Sequence, residues 1–165
     1  MRLNVYQSPG NASAIDGLMR VLRVSQSADT LDVLLTTAQW ELLAGYLQPF
    51  PVEPGHTPIQ QGASDRSLYL IESGTLTVHV ADRSGRLKLA VVGAGSVVGE
   101  GAFFSGLPRC ATVVATAPSM LWCLTQRRFQ ELSAQQPALA LQLTMAFGSV
   151  LARRLKNTTA RIAVT

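Results

Sequence analysis

The chain has 165 residues, enough for one domain with a sizeable core, and it is 47% hydrophobic and 15% charged, which excludes a disordered chain. Its net charge of +4 permits a nucleic-acid partner, but an excess of surface arginine explains it as well. There is no apolar run of about 18 residues to span a membrane, no signal-peptide core in residues 1–15, and no CxxC or zinc spacing, so a cytoplasmic chain with buried free thiols at Cys110 and Cys123 is expected.

Asn11 to Val24 places Ile15, Leu18, Met19 and Leu22 at helical spacing, with Ser13 available as a cap. After the polar break Ser25 to Thr30, Thr36-Thr37-Ala38-Gln39 resembles a capping box. It opens a helix with Trp40, Leu43, Ala44 and Leu47 on one face. Pro49 to Pro58 holds four prolines and a glycine, so no helix survives there. From Ile59 to Leu124 short apolar runs are broken by Gly62, Gly74, Ser84-Gly85, Gly93-Ala94-Gly95, Gly106 and Pro118. Asp82-Arg83-Ser84-Gly85 reads as a hairpin turn between Leu76–Ala81 and Leu87–Val92. Many short strands with regular turns predict a mainly β fold, a barrel or jelly roll.

Thr125 to Ala134 is helical in pattern, and Pro137 suits the first turn of a long last helix. On that helix Leu139, Leu143, Ala146, Val150, Leu151 and Leu155 lie along one stripe, either core or dimer seam. The mean hydropathy of +0.22 is high for a soluble protein and points to an extra buried surface. A homodimer through residues 138–160 is the expectation. Arg153, Arg154, Lys156 and Arg161 read as a solvated helix face, and DNA is not an expected partner of this chain alone.

The segment Gly99 to Val113 carries the chemistry. It sets Glu100 and Arg109 at either end of a short run of small residues between apolar strand-like stretches. Charges this close to a core need partners. They can pair with each other, or meet a ligand with an anion at one end and a hydroxyl at the other. A small phosphate ligand fits the second reading. Arginine presents a planar fork to two phosphate oxygens, the glycines allow close approach, and a helix opening near Glu100 aims amides the same way. A carboxylate repels phosphate and accepts from a hydroxyl, so a ribose suits Glu100. His56 and His79 are the only histidines, and no GxSxG elbow is present, so neither a metal site nor an enzyme is expected.

Gly99-Glu100-Gly101-Ala102 followed by Pro108-Arg109-Cys110-Ala111-Thr112-Val113 resembles the phosphate-binding cassette of the cyclic nucleotide-binding domains. Catabolite activator proteins, protein kinase A regulatory subunits and cyclic nucleotide-gated channels carry such domains. The likeness extends over roughly Thr36 to Lys156. It takes in Ile59-Gln60-Gln61-Gly62-Ala63, Leu68-Tyr69-Leu70-Ile71-Glu72-Ser73-Gly74, Phe129-Gln130-Glu131-Leu132 and Pro137. Gly101 stands where the family has a bulky apolar residue, and Cys110 where Ser, Thr or Ala is common.

The resemblance implies a jelly-roll (double-stranded β-helix) barrel with N-terminal helices and a C-terminal helical pair. Residues 1–35 would be a helical extension and 36–165 the domain. It implies that Glu100 binds a ribose 2′-hydroxyl and Arg109 the exocyclic phosphate oxygens of cAMP or cGMP. Gly99, Gly101, Ala102, Cys110 and Ala111 would complete the cradle, with no other cofactor. Base contacts would come from polar candidates such as Lys156, Asn157, Thr158 and Thr159. The implied function is a sensor that moves its terminal helix, and family members pair such helices. The alternatives are the nucleotide-binding part of a catabolite-activator-type regulator, whose helix-turn-helix would have to lie beyond Thr165, and a degenerate domain kept for docking.

Overall fold

A computed structural model describes residues 15–25, 29–82 and 85–162. In chain order these form α1 (Asp16–Val24), α2 (Thr37–Ala44), β1 (Gln48–Val52), β2 (Leu68–Ser73), β3 (Thr75–Asp82), β4 (Gly85–Gly93), β5 (Val97–Val98), α3 (Glu100–Ser105), β6 (Thr112–Ala115), β7 (Ser119–Leu124), α4 (Gln126–Gln135) and α5 (Pro137–Ile162). Asn11 to Ser13 and the hairpin tip Arg83-Ser84 lie outside the described residues. More of the described residues are helical than extended, so the mainly β expectation becomes a mixed helix and antiparallel-sheet fold. Much of that helical content is α5, which alone runs 26 residues.

The strands form two antiparallel sheets, ordered β1-β7-β2-β5 and β4-β3-β6, and no closed barrel is formed among the described residues. β1 takes an edge, where Pro49 and Pro51 need not donate to a second neighbour. The period-two alternation of β2 and β7 feeds two cores. Leu68 and Leu70 of β2 and Trp122 and Leu124 of β7 point to the helices. Tyr69, Ile71, Leu121 and Cys123 join Leu76, Val92, Val113 and Ala115 in the second core. These two strands are therefore nearly continuous apolar runs. Thr36 and Gln39 close the capping box of α2 in both directions, at 3.2 and 2.9 Å.

The α5 stripe needs a correction. Leu139, Leu143, Ala146 and Val150, with Ala140 and Phe147, are buried in the chain's own core beside Trp40, Phe103 and Leu132. Of the expected seam only Leu155 is exposed, and Leu151 is half-buried. A second apolar stripe faces outward instead, with Ala138, Leu141, Met145, Gly148, Ala152 and Leu155 all exposed. Burial separates the leucines in urea denaturation. Leu143→Ala costs roughly 2–5 kcal/mol, as for a fully buried leucine, whereas Leu34→Ala, at an 88% exposed position ahead of α2, stays within about 0.5 kcal/mol.

Candidate functional site

Arg109 is 3% exposed, although it lies in a loop. Its backbone is clamped to the segment ahead of β2. The Arg109 amide donates to Ala63 O (2.8 Å), and the Gly62 amide donates to Arg109 O (2.8 Å). The Val113 amide on Ile59 O (2.8 Å) and the Gln61 amide on Thr112 Oγ1 (3.1 Å) continue the stitching. The guanidinium donates from Nε to Asp65 Oδ1 (3.2 Å) and from Nη2 to Asp65 Oδ2 and Ser67 O. Nη1 donates to Gly99 O (3.0 Å). This is a two-pronged pairing with one carboxylate, fixed from behind by two carbonyls.

Asp65 is half-exposed, and its hydrogen bond to Arg109 holds its carboxyl below the usual range. The stabilisation from this pairing is complete above the ordinary aspartate pKa and disappears as pH falls through the lowered one. Beneath the cassette, burial pushes the Tyr69 phenol up to about 12 and raises the Cys123 thiol, so both stay neutral near Arg109.

Glu100 opens α3 and is buried. It does not pair with Arg109. Arg154 Nη1, from the far end of α5, donates to Glu100 Oε1, while Arg154 Nη2 donates to Val97 O (2.8 Å) and Nε to Asp29 Oδ1 (3.4 Å). Arg153 Nη2 donates to Thr30 O. These two arginines, expected on a solvated face, instead tie α5 to the cassette and to the segment before α2. Gly99, at φ +91°, joins the two charged residues. Its carbonyl takes Arg109 Nη1, and Glu100 follows it directly.

The remaining expected residues sit around this pair. Ala102 is buried, Gly101 and Ala111 are half-buried, and Cys110 is exposed on the loop. Cys110 is therefore neither in a strand nor buried, unlike Cys123 in β7. Asp65, Ser67 and Asp29 escaped the sequence reading, and Arg154 was expected only on a solvated face. A carboxylate for Arg109 was required by its burial, but nothing local singled out one 44 residues away. Two surface clefts of about 360 Å³ lie elsewhere, at Gln48, Thr125 and Arg128 and at Leu22, Asp32 and Arg153.

A family profile described as "Cyclic nucleotide-binding domain" matches residues 49–136, more than half of the chain and the whole of this cassette. The chain belongs to the cyclic nucleotide-binding domain family. It is 32% identical over 115 residues to a cAMP-dependent protein kinase regulatory subunit from Mucor circinelloides, covering 70% of this chain and 26% of that protein. It is 28% identical over 128 residues to the cAMP-activated global transcriptional regulator of Salmonella typhimurium, covering 76% and 58%. The chain thus spans only part of the curated relatives it matches. A cyclic nucleotide-binding domain from Methylobacillus flagellatus superposes with a TM-score of 0.81 at 21% identity, over 99% of this chain and 95% of that one, which shows the shared fold. The family is a regulatory binding domain. Among the described residues no helix is long and apolar enough to cross a membrane.

Two glycines of this cyclic nucleotide-binding domain separate geometry from mere smallness. At Gly99 a Cβ would come within 2.8 Å of Arg109 Nη1 and of Ser67 O, at a positive φ. At Gly101, inside α3, a Cβ meets nothing within 4 Å. Gly99→Ala therefore destabilises by at least about 1–3 kcal/mol, while Gly101→Ala stabilises by roughly 0.5–1 kcal/mol. Thermal denaturation of both variants checks the sign.

Proposed function

We propose that the chain is a cyclic nucleotide sensor, binding cAMP or cGMP at residues 99–111 and passing occupancy to α5. The observation that carries this reading is the placement of Glu100 and Arg109 on either side of the Gly99 peptide, both buried and both held by groups that a ligand can replace. Asp65 offers the Arg109 fork two oxygens, as the phosphodiester of a cyclic nucleotide does. Being half-exposed, Asp65 can give up part of that fork to the phosphate and turn toward water. Glu100 then accepts from the ribose 2′-hydroxyl.

Arg154 supplies the coupling, since it holds the same carboxylate from α5. Ligand moves the helix to the extent that it binds one arrangement of this contact better than another. The two sheets enclosing the second core fit the jelly-roll reading, and the free cysteines fit the cytoplasm. A part of a catabolite-activator-type transcription regulator is the alternative, favoured by the Salmonella relative. A downstream reading frame encoding a helix-turn-helix would decide for it.

The outer stripe of α5 supports a homodimer. Ala138, Leu141, Met145, Gly148, Ala152 and Leu155 alternate three and four residues apart, the spacing of a helix-pairing seam. Gly148 and Ala152 permit close approach, and the flanking Gln142, Thr144, Ser149 and Leu151 are uncharged, with Lys156 the charge at the stripe's C-terminal end.

Calorimetry tests the ligand. Cyclic AMP, with or without cyclic GMP, binds more tightly than 5′-AMP, whose open dianion misfits the fork. Equal affinity for the open and cyclic forms contradicts the site. Glu100→Gln loses roughly 1–2 kcal/mol for cAMP, the difference between a charged and a neutral acceptor. The 2′-deoxy analogue binds the wild type weakly yet loses little more in that variant; additive losses mean that Glu100 does not touch the ribose. Light scattering tests the dimer. Met145→Glu shifts the protein to monomer, and a wild type that is monomeric at high micromolar concentration contradicts the seam.

A further inference from the structure

Arg154 stands between two carboxylates from distant parts of the chain. Its Nη1 is on Glu100, its Nε on Asp29 at 3.4 Å, and its Nη2 is fixed on Val97 O at 2.8 Å. The Asp29 side chain is 30% exposed, that of Glu100 only 10%. The segment holding Asp29 is itself anchored. Arg153 donates to Thr30 O, Thr30 bridges Ser96, the Leu31 amide donates to Gly95 O at 2.9 Å, and Leu31 is fully buried. Residues 29–31 thus lie between the turn after β4 and the end of α5, tied by two neighbouring arginines.

We propose that Asp29 is a positioning residue for the ligand site, acting through Arg154. The inference rests on the cyclic nucleotide reading above. A guanidinium divided between two carboxylates holds each less firmly than it would hold one. Asp29 therefore draws Arg154 away from Glu100 and leaves Glu100 a better acceptor for the ligand hydroxyl. Without Asp29, Arg154 bears more fully on Glu100, and the ribose must compete with it. Coupling is reciprocal, so a ligand that engages Glu100 gives Arg154 more fully to Asp29 and tightens residues 29–31 against the sheet. The segment ahead of α2 both tunes the site and reports its occupancy.

The test uses the full chain with cAMP as the probe, read by calorimetry and by amide hydrogen exchange at Leu31. Asp29→Asn is expected to weaken cAMP binding about two- to tenfold, the range for groups in one ion-pair network. Asp29→Glu restores most of the affinity. In an Arg154→Gln background, Asp29→Asn has no further effect. In the wild type, cAMP slows exchange at Leu31, and in Asp29→Asn it does not. The proposal is overturned if Asp29→Asn binds cAMP as the wild type does, or if its loss persists unchanged without Arg154. A wild type that binds neither cAMP nor cGMP overturns the sensor reading itself and the coupling with it. That outcome is distinct, because the titration is then flat before any substitution is made.

Discussion

A guanidinium withdrawn from water must have its donors met, and Arg109 organises the molecule around that requirement. It collects Asp65, Ser67 O and Gly99 O, and its own amide and carbonyl are taken by Ala63 and Gly62. An unpaired buried charge would cost several kcal/mol. The segment before β2, the start of α3 and the loop into β6 are therefore held as one unit. The unit is polar at the centre and apolar around it, since Ile59, Tyr69, Val98 and Val113 belong to the core below. Gly99 permits it, because only a residue without a Cβ lets the guanidinium lie against that carbonyl.

Glu100 extends the same logic outward. Its carboxylate meets Arg154, which reaches back from the last turns of α5. One face of that helix fills the main core, and the opposite face carries its apolar stripe to the surface. A single helix thus touches both the core and the cassette. The contacts run from Glu100 through Arg154 to α5. The segment at Asp29 is attached to the same arginine.

Much of this was legible in residues close together in sequence. The spacing of Glu100 and Arg109, the capping box at Thr36 and Gln39, and the prolines that keep residues 49–58 from being helical all act locally. Partners were not legible, because they depend on tertiary placement. Asp65 lies 44 residues from Arg109 and Arg154 lies 54 from Glu100, so the sequence offered several carboxylates and arginines without ranking them. Periodicity found an apolar stripe on α5 but did not say which side it served, since a helix with two apolar faces matches core and seam alike. Cys110, expected as a buried thiol, is instead exposed on the loop that follows the clamped Arg109.

The central claim is that the Arg109 fork, now on Asp65, is the phosphate site. Side-chain nitrogen NMR reads it directly, because the Nε–H signal of Arg109 reports what that group donates to. Titration with cAMP should shift this signal in a saturable way and leave the exposed Arg127 signal unmoved, while 5′-AMP at the same concentrations should shift it far less. An Arg109 Nε–H signal that stays in place while cAMP demonstrably binds would put the phosphate elsewhere and contradict the account.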